Sequence, residues 1–266
     1  NTLPQAGWMA GVGSLMGPDP REVVNSDIII MWGGNPASTQ VTFMKHVQNA
    51  RKNNNALFIV IDPYLTKTAK LADIHIKIRP GTDGALACGI MQYLFDNNKV
   101  DYNFLHQYSK DYEKFKKHLL KKSQTWASKV CGVKKEEIHK LANLISKTKK
   151  VFIRLGYGFT RQRNGSFNMH AVTCIPTVIG AWKELGGGAF YNNGGIYNID
   201  KTLIEGLNYK NSTIRELDQS RIGPILNGDK SALQNKQLVK AIIIQNTNPL
   251  VVAPETLKVI KGFSRT

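Results

Sequence analysis

From residue 27 onward, short apolar runs alternate with longer stretches whose apolar positions recur every three or four places. Ile28 to Trp32, Ala56 to Ile61, Ile74 to Ile78 and Val151 to Leu155 are runs of strand length. Apolar residues on successive positions predict strands covered on both faces. Val41 to Lys52, Tyr102 to Tyr108, Asp111 to Lys121 and Lys135 to Ser146 have helical spacing. So does Asp83 to Asn97, with Ala85, Leu86, Gly89, Ile90, Tyr93 and Leu94 on one side. Such alternation specifies an α/β fold: a doubly wound, mostly parallel sheet with helices on both faces, a three-layer αβα arrangement. A further helix is predicted over Ser166 to Trp182, closed by Gly186-Gly187-Gly188 and kinked or divided by Pro176.

Residues 191 to 236 are weakly patterned and rich in Asn, Gly and Asp, the composition of a ligand-covering loop region with short helices. After them Leu238 to Ile244 reads as a strand and Glu255 to Gly262 as a helix, the opening of another βα unit. The expected organisation is therefore one αβα domain over 1–190 and an incomplete second αβα domain over 191–266. A strand running into an Asn-Pro turn occurs twice, as Ile28 to Pro36 and as Ala241 to Pro249. The repetition points to two similar ligand sites, to one ligand with two similar ends, or simply to two buried strands followed by turns.

Composition narrows the class. The chain has 266 residues, 42% of them apolar and 9% aromatic, which marks a folded protein. No run reaches the roughly 18 apolar residues of a membrane span, and no signal-peptide pattern opens the chain. A cytoplasmic setting is expected. The first residue is Asn1, not Met, and the chain is expected to be a piece of something longer. Cys88, Cys131 and Cys174 are isolated, so a reduced compartment and no metal site in this stretch are expected. The net charge of +17 is carried mainly by lysine spread over helical stretches, with scarce arginine and few interleaved aromatics. That distribution attracts polyanions without reading them, so no specific nucleic acid is expected as a partner.

The chemistry gathers at strand ends. Gly33-Gly34-Asn35-Pro36 follows the first strand and precedes a helix, a place where backbone amides bind phosphate. Ile61-Asp62-Pro63 ends the second strand. Asp62 stands where doubly wound folds station an acid for a ribose hydroxyl, or it caps the turn at Thr66 to Lys70. The third ends in Arg79-Pro80-Gly81-Thr82-Asp83. There Thr82 or Asp83 caps a helix, and the Asp83 carboxylate also suits the paired donors of a guanine edge. Three converging strand ends imply a nucleotide-like ligand.

Trp32 to Thr39, then Val60 to Pro63 with Thr66, Thr68, Ala69, Ala72 and Asp73, then Arg79 to Leu86, resemble successive motifs of the molybdopterin oxidoreductases of the DMSO reductase family. Arg154 to Gly158, Arg163-Asn164-Gly165, Gly186 to Gly188 and Asn246 to Pro249 continue the resemblance in the same order, over essentially the whole chain. It is nearest the formate dehydrogenase-like and biotin-sulfoxide-reductase-like branch. The resemblance implies a bis(molybdopterin guanine dinucleotide) cofactor carrying molybdenum or tungsten, with formate or an oxo or sulfoxide compound as substrate. It places Gly33, Gly34, Asn35 and Pro36 at the first pyrophosphate, Asp62 with Pro63 and Thr66 at the ribose or guanosine, and Pro80, Gly81, Thr82 and Asp83 at the guanine. Gly156, Gly158, Arg161, Arg163 and Asn164 then lie toward the pterin, and Asn246, Thr247, Asn248 and Pro249 begin the second site. The family's metal-ligating residue is expected before Asn1, and an iron-sulfur cluster only in a preceding part. The partners implied are the cofactor and the remaining domains of the parent enzyme, and the chain alone is expected to be inactive. The alternatives are a non-catalytic guanine-nucleotide-binding protein or degraded gene product and, less favoured, a basic nucleic-acid-binding module.

Overall fold

The computed structural model describes residues 2–197 and 199–265. Two compact units make up the chain, Asn1–Asn198 and Ile199–Thr266. In the first, β1 (Ile28–Trp32), β2 (Leu57–Ile61), β3 (Ile74–Ile76), β4 (Val151–Leu155) and β5 (Gly188–Phe190) form one sheet in the order β3-β2-β1-β4-β5. All four pairings are parallel. Around them lie α1 (Thr2–Val12), α2 (Pro36–Thr39), α3 (Val41–Asn54), α4 (Asp83–Asp96), α5 (Tyr102–Tyr108), α6 (Tyr112–Leu119), α7 (Gln124–Cys131), α8 (Lys135–Ile145) and α9 (Gly165–Val178).

Every residue of β1 and β4 is buried because successive side chains enter two different cores. Ile28, Ile30 and Trp32 join Leu86 and Ile90 of α4, Ile138 of α8 and Met169 and Val172 of α9. Ile29 and Met31, with Phe58, Val60 and Phe152, pack on Phe43, Met44 and Val47 of α3. Each such side chain contributes about 1.5–3 kcal/mol by leaving water. The sheet with a helical layer on each face is the predicted fold, and the four strands predicted within this unit lie within two residues of their predicted limits.

Three elements escape the apolar pattern. The helix α1 carries Gly7 and Gly11, which lower its intrinsic propensity, and it forms by packing against α9. The helix α7 is short, opened by the Ser123 hydroxyl accepting from the Trp126 amide at 3.2 Å. Strand β5 is three residues long and begins at Gly188, so the glycine run leads into the sheet edge. The predicted helix over 166–182 ends at Val178, with Pro176 inside its last turn.

The second unit contains α10 (Thr202–Glu205), α11 (Ile222–Leu226), α12 (Pro249–Val252) and α13 (Thr256–Phe263). Ile225, Ala232 and Leu233 form a small core with Leu217 and Val239, and α11 packs on α13. The strand predicted over 238–244 does not form. Among the described residues this unit has no strand for it to pair with, and a lone strand cannot satisfy its own amides. Ile243 is 95% exposed.

Ile30→Ala should cost about 2–5 kcal/mol in urea unfolding, as expected for a fully buried central strand. Ile243→Ser should stay within about 0.5 kcal/mol of the parent, and a loss comparable to that of Ile30→Ala would show that the segment is packed after all.

Candidate functional site

At the carboxyl ends of β1 and β4 the chain leaves in opposite senses, toward β2 from one strand and toward β5 from the other. Such a divergence opens a crevice in a doubly wound sheet. Here the two exit loops touch through their backbones. The Gly156 amide donates to Trp32 O at 2.8 Å, the Gly158 amide to Gly33 O at 2.8 Å, and the Gly33 amide to Ile61 O at 2.9 Å. A Cβ on Gly156 would stand 2.1 Å from the Gly33 carbonyl oxygen, and Gly33 itself has φ +66°. Only glycine allows that approach and that backbone. A cavity of about 410 Å³ lies over the crossing, walled by 33–36, Gln40, Arg154, 156–158 and Arg161.

The predicted pyrophosphate loop, Gly33, Gly34, Asn35 and Pro36, and the predicted pterin-side residues Gly156, Gly158 and Arg161 are thus brought together. Asn35 is committed within the loop. Its Oδ1 accepts from the Thr68 hydroxyl at 2.7 Å and the Thr68 amide at 3.2 Å, and Thr68 Oγ1 in turn accepts from the Ala37 amide at 3.0 Å. These bonds pin the β1 exit to the β2 exit. Pro36 opens α2, where its missing N–H costs nothing.

Asp62 ends β2, 7% exposed. Its Oδ1 accepts from the Tyr64 amide at 3.3 Å. Burial holds its carboxyl above the ordinary range, against the pull of that amide and of His75. Beside it Pro63 is half-buried, and the buried Thr66 accepts from the Ala69 amide at 3.0 Å, capping the next turn.

Asp83, at the head of α4, is buried and already supplied with donors. Its Oδ1 accepts from Trp32 Nε1 at 2.8 Å, and its Oδ2 from Gln162 Nε2 at 3.1 Å and Asn168 Nδ2 at 3.3 Å. Burial raises its pKa, while the Trp32 and Gln162 donors oppose the rise. Gln162 Oε1 is buried with no partner. Thr82 donates to Arg79 O at 2.6 Å, leaving the α4 amides uncapped by its side chain. Asn164 Nδ2 donates to Gly81 O at 2.9 Å and ties the start of α9 to the exposed Pro80 turn, while Arg163 is exposed.

Arg154 carries a strand's burial and a charge together; it heads the Arg154 to Gly158 motif, but no role was assigned to it. Its signal was a lone cation inside the apolar run 151–155. His170 is exposed, and no group of three or more His, Cys, Asp or Glu side chains suited to a metal occurs among the described residues. Asn246, Thr247, Asn248 and Pro249 belong to the second unit, where Asn248 Oδ1 accepts from the Leu250 amide at 3.2 Å and caps α12. No helix among the described residues is long and apolar enough to cross a membrane.

The family model described as molybdopterin oxidoreductase matches residues 9–265. The probable oxidoreductase YoaE of Bacillus subtilis (strain 168) is 35% identical over 260 residues, covering 97% of this chain and 37% of the relative. The dimethyl sulfoxide reductase DmsA of Escherichia coli (strain K12) is 33% identical over 187 residues, covering 62% of this chain and 23% of that protein. Among solved structures, acetylene hydratase from Pelobacter acetylenicus superposes with a TM-score of 0.61 at 22% identity, over 67% of this chain and 24% of that one, a likeness of fold. The chain therefore spans about a third or less of the length of these relatives.

Gly156→Ala should lower stability by about 3 kcal/mol or more, read by urea unfolding, because the Gly33 carbonyl has no room to retreat. Asp62→Asn should do the opposite at pH 7. A carboxyl held high by burial stabilises the fold while protonated, and that contribution is lost as pH rises from the ordinary value of 3.8 through the raised one. Removing the charge should therefore raise the unfolding midpoint at neutral pH and change little below pH 3.8; an equal effect at both pH values would refute the burial account.

Proposed function

Because the chain belongs to the molybdopterin oxidoreductase family, we propose that it supplies cofactor-binding loops to a molybdenum or tungsten enzyme performing two-electron redox on an oxo or sulfoxide substrate, or on formate. The cofactor proposed is bis(molybdopterin guanine dinucleotide), with residues 1–190 forming the domain for one dinucleotide and 191–266 opening the domain for the other. A cytoplasmic location and an iron-sulfur-bearing partner domain complete the reading.

The observation that carries it is the crevice where the β1 and β4 exit loops cross. Its walls combine glycines, which let a diphosphate approach closely, with the cations Arg154 and Arg161, and among the described residues no acidic side chain lines it. The residues therefore fit such a group. Gly33, Gly34, Gly156 and Gly158 would line the diphosphate, and Arg161 would face the pterin side. Asp62, one strand over, would accept from the ribose hydroxyls, its weak amide contact leaving acceptor capacity to spare. Asn35, Thr66 and Asn164 would act indirectly by fixing the loops. When bound, the cofactor supplies the redox chemistry, and these residues supply binding, orientation and electrostatics.

The similarity to named dimethyl sulfoxide and trimethylamine-N-oxide reductases favours an oxo substrate over formate. In isothermal titration the chain should bind guanosine diphosphate, and Asp62→Asn should weaken binding roughly tenfold through loss of the ribose bonds. Binding that is absent, or indifferent to Asp62, would overturn the dinucleotide assignment. The isolated chain should show no turnover of dimethyl sulfoxide, trimethylamine N-oxide or formate, and turnover by it alone would contradict the division of labour proposed.

A further inference from the structure

Arg154 projects from β4 with only 3% of its surface exposed, and it lines the crevice between the crossing loops. Its partners are all neutral. Nη1 donates to the carbonyls of Leu155, of Phe190 at 3.3 Å and of Tyr191 at 3.1 Å, and Nη2 to Gln40 Oε1 at 2.9 Å. The ring of Phe190 lies 4.6 Å from the guanidinium carbon. Nε is buried with no partner at all. Among the described residues no carboxylate pairs with it, and burial lowers its pKa to about 10, which leaves it a cation at neutral pH.

An uncompensated buried charge is among the least favourable features a core can hold, and an apolar side chain would complete β4 without it. The cavity beside it contains Arg161 and loop backbone and contains no Asp or Glu. The Tyr191 hydroxyl is a second buried polar group without a partner, on a residue whose carbonyl Arg154 holds. Its ring centre lies 5.4 Å from that of Tyr157, which also walls the cavity. The buried Arg154 guanidinium thus stands in the wall of a cavity that, among the described residues, carries no carboxylate.

We propose that Arg154 is the charge anchor of this crevice, the residue that selects a diphosphate oxyanion as its occupant while clamping Gln40 and the exit of β5 into the cavity wall. The identity of the anion rests on the dinucleotide reading above; the demand for an anion does not. A bound diphosphate would complete the charge balance that the protein alone leaves open.

The test is titration of sodium pyrophosphate into the full chain at low ionic strength, by calorimetry and by urea unfolding. The parent should bind and be stabilised. Arg154→Met should bind roughly tenfold more weakly or worse and lose that stabilisation. Arg154→Lys, which keeps the charge, should bind better than the Met variant. Lys140→Met, on the exposed face of α8, removes the same net charge and should stay within about twofold of the parent. Should the Met variant not fold, Arg154→Gln takes its place and must lose binding where Lys keeps it. Equal pyrophosphate binding by the parent and the neutral variants, or equal losses in Lys140→Met and Arg154→Met, would overturn the proposal. Pyrophosphate carries neither pterin nor guanine, so failure here leaves Asp62-dependent nucleotide binding standing, and failure there leaves the Arg154 anion site standing.

Discussion

The structure turns on the Gly33 carbonyl. It accepts from the Gly158 amide, lies against the α-carbon of Gly156, and belongs to the residue whose own amide reaches back to β2. One residue thereby links the exits of three adjacent strands, the middle of the sheet's order. The spacing of those strands is set by their ladder hydrogen bonds, so the loops above them have no freedom to separate. At the crossing itself a side chain on Gly156 is excluded by geometry, and there main chain meets main chain. A site made this way is as rigid as the sheet that carries it.

Around that point the polar side chains divide into two sorts. Asn35, Thr66, Thr82, Asn164 and Asp83 spend their hydrogen-bonding capacity on neighbouring loops and helix ends. Asp62 and Arg154 are buried with capacity left over. Residues of the first sort hold the architecture, and those of the second mark where something from outside is needed. Asp83 shows how closely the two can resemble each other in sequence. It sits in a turn suited to nucleobase recognition, yet Trp32, Gln162 and Asn168 already fill its oxygens.

Strands β1, β2 and β4 were legible because a strand covered on both faces is built almost wholly of apolar residues, Arg154 being the one exception among them. The glycine loops were legible for a similar reason, since their composition follows from the backbone they must adopt. Strand β5 was not, because three residues led by Gly188 carry no periodicity, and α7 was hidden inside a lysine-rich helical block. Within the site, Arg154 was quoted with its motif but given no role, since a single charge in an apolar run gives no sign of its burial. The segment 238–244 erred the other way. Its pattern is that of a strand, but a strand is a relation between two segments, and its own unit offers no second one.

That segment has a colloidal consequence. Ile242, Ile243 and Ile244 lie exposed beside backbone groups outside any ladder, the kind of edge along which identical chains zip together. What opposes such pairing is long-range repulsion between molecules each carrying a net charge of +17. The diffuse lysine surface thus acts as a solubilising coat. Its reach is the Debye length, about 8 Å at physiological ionic strength, so the dispersed state of this chain is itself a function of salt.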